Sequence, residues 1–188
     1  MINNNQQAFF ALVRAGLWEK EVRLLPYGDI RWPEVYRLAI EQSVLGLLLA
    51  GLEQSDLKPP KELLLQWIGE VQLIEQRNKE MNAFIAEVVE KMRAADIYAI
   101  LVKGQGVAQC YEKPLWRSSG DIDFLLSKDN YGKAVSFFKN RYSNNKDGGR
   151  YSREYAFYTD QWMVEVHGSL RTCLSSKIDK VVDTVQKS

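Results

Sequence analysis

The sequence predicts an α+β protein in which an N-terminal helical segment packs on a small mixed β-sheet. Up to about residue 95, apolar residues recur at spacings of 3 and 4, which is the period of an amphipathic helix. Beyond residue 96, short apolar runs and alternating segments are separated by polar turns, which is typical of strands. We therefore predict a helical domain over residues 1–95 and an α+β core over residues 96–188.

Three segments of the first half have a helical pattern. The first covers residues 5–15, and the second begins at Trp32–Pro33, where proline suits a first helical turn, and continues to Leu47. The third is a long helix over residues 61–95 whose apolar stripe is interrupted by Asn78. We interpret this stripe as the core-facing side of a helical bundle; a partner-binding coiled coil is the alternative.

The second half alternates strands with short helices. The predicted elements are a strand at 97–102, a short helix at 105–111, a strand at 121–126, a helix at 128–139, a turn at 144–149, and a hairpin of 151–158 and 162–167. This order of elements fits a small α+β sheet.

Composition and charge exclude several classes of protein. Lys and Arg total 25 and Asp and Glu total 24, so the net charge of +1 excludes a generally basic protein that binds through bulk positive charge. A hydrophobic content of 46% with so low a net charge argues against a disordered chain. Two cysteines do not suggest a disulfide framework, and a single histidine excludes a zinc site built on several histidines.

The sequence contains no pattern typical of a signal peptide or a membrane span. The N-terminus lacks a basic region followed by an apolar run. The longest apolar stretch, residues 44–52, is far shorter than the roughly 18 residues that a membrane span needs. We therefore expect a cytoplasmic protein without a membrane partner.

The residues with the clearest chemistry are Asp121 and Asp123, which lie in a predicted strand. Side chains in a strand alternate between its faces, so both carboxylates point to one side, about 7 Å apart along the chain. Two carboxylates side by side in an apolar strand are unfavourable unless a cation neutralises them. Mg²⁺ suits this role because it prefers oxygen ligands. The alternative is a strand end whose two acids are simply exposed to solvent.

Basic and glycine residues near these acids are candidate phosphate ligands. Lys103–Gly104 follows the first predicted strand and begins a helical candidate, so its backbone N–H groups are candidates for facing a phosphate. Arg117 precedes Asp121 by four residues and is a candidate partner for a carboxylate or a phosphate. The alternative for Arg117 is an ordinary surface salt bridge.

A third acid, Glu165, lies in the later predicted strand between two valines. It is a candidate for the carboxylate that completes a two-metal site, and a solvent-facing strand residue is the alternative. His167 shares the face of Glu165 because it lies two positions further on. We assign His167 a supporting role rather than metal ligation, since Mg²⁺ prefers oxygen.

These motifs resemble those of the DNA polymerase beta-like nucleotidyltransferase superfamily. The stretches LVKGQGVAQCYEKPLWRSSGDIDFLL and VEVHGSL are most similar to its branch of uncharacterised bacterial nucleotidyltransferases. The shared pattern is a Lys-Gly turn, then Arg-x-x-x-Asp-hydrophobic-Asp, then an acidic-hydrophobic-His strand. The positions here are Lys103 and Gly104, then Arg117, Asp121 and Asp123, then Glu165 and His167.

The resemblance implies a sheet of the nucleotidyltransferase type and a metal-dependent enzyme. It implies that the catalytic residues, which also hold Mg²⁺ or Mn²⁺, are Asp121, Asp123 and Glu165. It implies that the nucleotide and its phosphates are bound by Lys103, Gly104, Gln105 and Arg117. The reaction that the resemblance implies moves a nucleoside monophosphate from an NTP, for which we take ATP, to a hydroxyl acceptor. The sequence does not identify this acceptor. Since members of that branch generally have further helices beyond this point, we expect a C-terminally shortened core or a piece of a longer protein.

Two other functions remain as alternatives. The chain is also compatible with a catalytically inactive nucleotidyltransferase-like module that binds a protein through its helical half, with Trp18, Trp32 and Trp67 as candidate anchors or core residues. Nucleic-acid binding has weak support from a modest basic cluster, which we interpret as a solvated face. The cluster comprises Lys139, Arg141, Lys146, Arg150 and Arg153.

Overall fold

The computed structural model describes residues 2–142, 144–147, 154–169 and 175–187. It confirms the predicted α+β class. The α-helices are α1 (Asn4–Trp18), α2 (Trp32–Glu41), α3 (Leu45–Glu53), α4 (Lys61–Ala94), α5 (Gly104–Ala108), α6 (Lys128–Lys139) and α7 (Ser176–Lys187), with 3₁₀ turns at Leu25–Tyr27 and Pro114–Trp116. The strands are β1 (Ala99–Val102), β2 (Asp121–Leu126), β3 (Asn144–Asp147), β4 (Glu154–Tyr158) and β5 (Met163–His167).

The predicted elements are confirmed where the local pattern is strong and are wrong where the backbone turns sharply. The bounds predicted for β2 and α6 are those observed. The single helix predicted from Trp32–Pro33 to Leu47 is instead two helices, because Ser43 has a left-handed backbone with φ of 55°, which a helix cannot continue through. Part of the predicted turn at 144–149 is strand β3, and α7 was not predicted. Residues 148–149 and 151–153 of the predicted turn and hairpin lie outside the described residues.

Contacts between residues divide the chain into two compact units. The first unit comprises Met1–Glu80 and Ala108–Ser119, and the second comprises Met81–Val107 and Gly120–Ser188. The long helix α4 therefore contributes residues 61–80 to the first unit and 81–94 to the second. The predicted division at residue 95 into separate domains stays a prediction.

The first unit is built from helices that approach each other closely. A Cβ atom added at Gly51 of α3 would lie 2.1 Å from the carbonyl oxygen of Leu12 in α1, so only glycine permits this contact. Trp67 of α4 is fully buried, and its indole N–H donates to the Leu45 carbonyl at 3.2 Å. Trp67 is therefore a core residue rather than an exposed anchor.

The second unit contains a five-stranded sheet in the order β1-β2-β5-β4-β3. Strands β2 and β5 are parallel, and the other neighbouring pairs are antiparallel. One face of the sheet is apolar and packs against α6 and the last turns of α4. Since side chains alternate along each strand, Asp121, Asp123, Glu165 and His167 lie on the opposite face.

Among the described residues, we find no helix that combines the length and the apolar character needed to cross a bilayer.

Candidate functional site

The parallel pairing of β2 with β5 forms the candidate site. In this register Asp123 is the direct partner of Glu165, and His167 lies two residues further along β5. One ligand atom from each of these three side chains lies within 4.8 Å of the other two. Carboxylate oxygens and an imidazole nitrogen at such separations form a donor set that a divalent metal ion could occupy.

Asp123 is the centre of this group. Its side chain is 0% exposed. Its Oδ1 atom accepts a hydrogen bond from Lys103 Nζ at 2.6 Å and lies 2.8 Å from His167 Nε2. Its Oδ2 atom is buried and has no hydrogen-bond partner among the residues that the structure describes. A buried carboxylate oxygen without a partner is costly, which points to a ligand that would satisfy it.

Lys103 reaches the group from the turn between β1 and α5. Its backbone is left-handed, with φ of 52°, a conformation that few residues other than glycine adopt. Its ammonium lies 2.6 Å from Asp123 Oδ1 and 3.9 Å from Glu165 Oε2. Burial lowers the pKa of Lys103, but the hydrogen bond and charge of Asp123 outweigh burial and hold the pKa above its ordinary value. The ammonium therefore stays charged at neutral pH.

His167 lies among the acids. Its Nε2 atom is 2.8 Å from Asp123 Oδ1 and 3.4 Å from Glu165 Oε2, and its Nδ1 atom is 3.5 Å from Glu154 Oε1. The supporting role that we predicted for His167 stays a prediction, and its hydrogen bond to Asp123 is compatible with it. The same nitrogen also belongs to the donor set. Sequence reasoning missed Glu154, because its proximity depends on the pairing of β4 with β5.

The neighbouring charges shift the three pKa values in different directions. Burial raises the pKa of Asp123, but hydrogen bonds from His167 and Lys103 outweigh it and hold the pKa below its ordinary value. Burial and the nearby charge of Asp123 raise the pKa of Glu165. The hydrogen bond to Asp123 raises the pKa of His167 against the effect of burial. Such divergent shifts in one cluster are typical of functional sites.

The remaining predicted residues of the second unit lie near this group in the chain. Asp121 is half-buried two residues before Asp123, and its direct partner in β5 is Met163. Gly104 begins α5. Gln105 is buried, and its Nε2 lies 3.4 Å from Met81 Sδ. Gln105 is therefore packed in the interior of the unit, which is not the position expected for a direct phosphate contact.

Arg117 belongs to the first unit. Its guanidinium donates to Ser119 Oγ at 2.9 Å and to the Ser118 carbonyl at 3.4 Å. It lines a cavity of about 480 Å³ within that unit, together with Trp116 and Lys113. The cavity is of a size that small molecules occupy. Its lining does not include the carboxylate group of the second unit.

The interruption of the α4 stripe at Asn78 also has a structural explanation. The Asn78 side chain is buried and donates to the carbonyls of Leu115 and Arg117 at 2.7 and 2.8 Å. It therefore holds the segment that contains Arg117. A polar residue in an otherwise apolar stripe was the sequence signal for this contact.

Comparison with known proteins gives one result that bears on function. A family described as uncharacterised nucleotidyltransferase has a sequence model that matches residues 28–184, a range that includes every candidate site residue. Neither a curated protein nor a solved structure is significantly similar to the chain. The match spans most of the chain and includes the strands β2 and β5 that carry the metal donor set. The chain therefore belongs to this nucleotidyltransferase family, and membership of the family implies a nucleotide substrate.

Proposed function

We propose that this protein is a metal-dependent nucleotidyltransferase that moves a nucleoside monophosphate from an NTP, ATP by default, to a hydroxyl acceptor. The observation that carries the proposal is the group of Asp123, Glu165 and His167, in which Asp123 has a buried oxygen without a described partner. The family assignment supports a nucleotide substrate.

The side chains present suit a hard divalent cation. Asp123 Oδ2 is a buried acceptor in need of a partner, and Glu165 offers a second carboxylate within reach. We assign the metal to Asp121, Asp123 and Glu165, with Mg²⁺ or Mn²⁺ as the ion. The nitrogen of His167 suits Mn²⁺ better than Mg²⁺. When bound, such an ion stabilises negative charge on phosphate oxygens and lowers the pKa of a hydroxyl.

The residues of the chain then have separate tasks. The acceptor oxygen attacks the α-phosphorus in line, the bond from that phosphorus to the bridging oxygen breaks, and pyrophosphate leaves. The alternative to metal ligation by Glu165, whose pKa is raised, is that this residue accepts the hydroxyl proton as general base. Lys103, with the backbone at Gly104, offsets the charge of the triphosphate.

Three broader assignments belong to the same proposal. We assign the chain to the bacterial branch of the polymerase beta-like superfamily, on the motifs at Lys103–Gly104, Asp121–Asp123 and Glu165–His167. We place its activity in the cytoplasm. We divide it into a helical domain over 1–95 and a catalytic core over 96–188.

The test is metal-dependent nucleotide binding. Equilibrium dialysis with labelled ATP, GTP, CTP and UTP, with and without Mg²⁺ or Mn²⁺, should show retention only when metal is present. Asp123→Asn should abolish retention, whereas Asp129→Asn, which changes an exposed acid at the start of α6, should leave it unchanged. Nucleotide retention without metal, or retention by Asp123→Asn, would overturn the proposal.

A second candidate function is a protein-binding module, and the exposed side of α1 favours it. Phe10, Leu17 and Trp18 are 47%, 39% and 58% exposed and recur at helical spacing. If this side binds a second copy of the chain, light scattering should show mass increasing with concentration. Trp18→Ala should abolish that increase, and a constant monomer mass would exclude self-association through this face.

A further inference from the structure

The Lys103 ammonium and the buried Asp123 carboxylate are exposed to very different degrees. The Lys103 side chain is 56% exposed, whereas that of Asp123 is 0% exposed. The ammonium therefore reaches Asp123 from the solvent side. Among the described lysine and arginine side chains, it is the one within ion-pair distance of both acids, at 2.6 Å from Asp123 Oδ1 and 3.9 Å from Glu165 Oε2.

The Lys103 ammonium has an electrostatic role in addition to its proposed contact with the triphosphate. Asp123 and Glu165 are adjacent across the parallel strands, and the Asp123 side chain is buried whereas that of Glu165 is 29% exposed. Two such carboxylates need positive charge nearby, and Lys103 supplies it within the chain itself. A divalent cation held by Asp123 Oδ2 and Glu165 would meet the ammonium on Asp123 Oδ1 at short range. Like charges at such a distance weaken binding by about tenfold or more near a protein surface.

We propose that Lys103 is an internal counter-ion that a divalent metal must displace from Asp123, and that the triphosphate of the nucleotide then takes up the displaced ammonium. The inference rests on the proposed function and adds to it the order of events. Metal binds weakly by itself and tightly together with the nucleotide. Lys103 is a positioning residue in this scheme, since it acts through the metal site.

The backbone and side chain of Lys103 suit such a movement. The backbone is fixed, because the Lys103 carbonyl accepts the N–H of Val107 at 2.7 Å in the first turn of α5. The side chain is a flexible four-carbon stem with a compact charge, and more than half of it is in solvent. The ammonium can therefore exchange one anionic partner for another while the turn stays in place.

Thermodynamic linkage makes the inference quantitative. If Lys103 couples the two ligands, the factor by which nucleotide tightens metal binding equals the factor by which metal tightens nucleotide binding. Removing the charge should increase metal affinity in the absence of nucleotide by about tenfold. It should also reduce the coupling factor by a similar amount, because the triphosphate loses the cation that metal binding releases to it.

The experiment measures Mn²⁺ affinity by electron paramagnetic resonance at one pH, with and without a non-hydrolysable ATP analogue. The variants are Lys103→Met, which removes the charge, and Lys103→Arg, which keeps it. The matched control is Lys133→Met, which removes an exposed ammonium that pairs with Asp96 in the same unit. Lys103→Met should bind Mn²⁺ more tightly than wild type without nucleotide and show less coupling. Lys103→Arg and Lys133→Met should resemble wild type.

The outcomes separate this inference from the proposed function. If wild type binds Mn²⁺ with the nucleotide but Lys103→Met gains no affinity, the counter-ion inference fails and the proposed function stands. If no variant binds Mn²⁺ with or without the nucleotide, the proposed function fails. Circular dichroism checks that each variant folds, and Lys103→Gln replaces Lys103→Met if the latter does not.

Discussion

The two compact units differ in how completely their buried polar groups are hydrogen-bonded. In the first unit, Asn5 donates to Glu34 at 2.5 Å and accepts the N–H of Arg31 at 2.8 Å, and Asn78 donates to two backbone carbonyls. In the second unit, Asp123 has two cationic or ring partners on one oxygen and no described partner on the other. A buried polar group with its hydrogen bonds complete holds the chain together, whereas an incomplete one indicates a ligand.

The difference follows from charge. An asparagine side chain is neutral, so two or three hydrogen bonds offset the cost of burying it. A carboxylate also has a net charge, and Lys103 and His167 reach only one of its oxygens. The second unit therefore retains an unfavourable feature that the first unit avoids, and such features concentrate at functional sites.

The largest effect in the test of this difference between the units is expected for Asp123→Asn. The substitution keeps the shape but removes the charge, and we expect nucleotidyl transfer to fall by about 10³-fold, equivalent to about 4 kcal/mol. The free energy of unfolding should fall by about 1 kcal/mol, because asparagine keeps an oxygen that accepts from Lys103, although the favourable charge is lost. Urea unfolding and a labelled-NTP transfer assay measure the two quantities. A large loss of stability would show that Asp123 has a structural role like that of Asn78.

A second substitution tests whether the helices of the first unit are as closely packed as the structure indicates. Gly51→Ala places a methyl group against the Leu12 carbonyl, and we expect it to cost about 3 kcal/mol of unfolding free energy. Gly69→Ala is the matched control, because nothing lies within 4 Å of its added Cβ. That control should stabilise helix α4 by about 0.5–1 kcal/mol. Equal effects of the two substitutions in urea unfolding would contradict the close approach of α1 and α3.

Asn78→Ala tests the structural half of the comparison directly. It leaves the carbonyls of Leu115 and Arg117 without this donor, and we expect a loss of about 2 kcal/mol of unfolding free energy. Gln76→Ala removes an exposed hydrogen bond to Glu80 on the same helix, and should change stability by less than about 0.5 kcal/mol. If Asn78→Ala leaves the free energy of unfolding unchanged in thermal or urea unfolding, water replaces the amide without cost.

The smallest effect is expected at Tyr36, and only in alkali. Burial, with the hydrogen bond that the phenol donates to Glu70, raises the pKa of Tyr36 from 10.0 to about 12. A pKa raised by folding stabilises the protein fully below the unfolded value and progressively less as pH rises through the folded one. Wild type should therefore lose its advantage over Tyr36→Phe between pH 10 and pH 12. Thermal midpoints across that range measure this loss, and a parallel pH dependence in the two proteins would contradict the raised pKa.

Local sequence was sufficient for much of the second unit. The period-2 pattern of β2 places Asp121 and Asp123 opposite the core residues Ile122 and Phe124, because strand geometry fixes that alternation whatever the strand pairs with. The same pattern at β5 places Glu165 and His167 on one face. The faces of these strands, the helix α6 and the fold class were therefore predictable from neighbouring residues.

Backbone turns were harder to predict, since a single residue in an unusual conformation decides them. Ser43 separates α2 from α3, although the apolar spacing continues across it. Lys103 has the same left-handed backbone, which no local pattern indicated. Side chains other than glycine adopt this conformation only where surrounding contacts enforce it, so sequence spacing gives little warning of it.

Which residues are charged, and which face of a strand they occupy, could be predicted from the sequence, because both depend on residue type and the period of the backbone. Three relations emerge only from the folded chain: the register that brings Asp123 opposite Glu165, the contact of Lys103 with Asp123, and the separate unit that contains Arg117. Those relations join residues that are distant in the chain. They depend on strand pairing and side-chain packing, which no local period specifies.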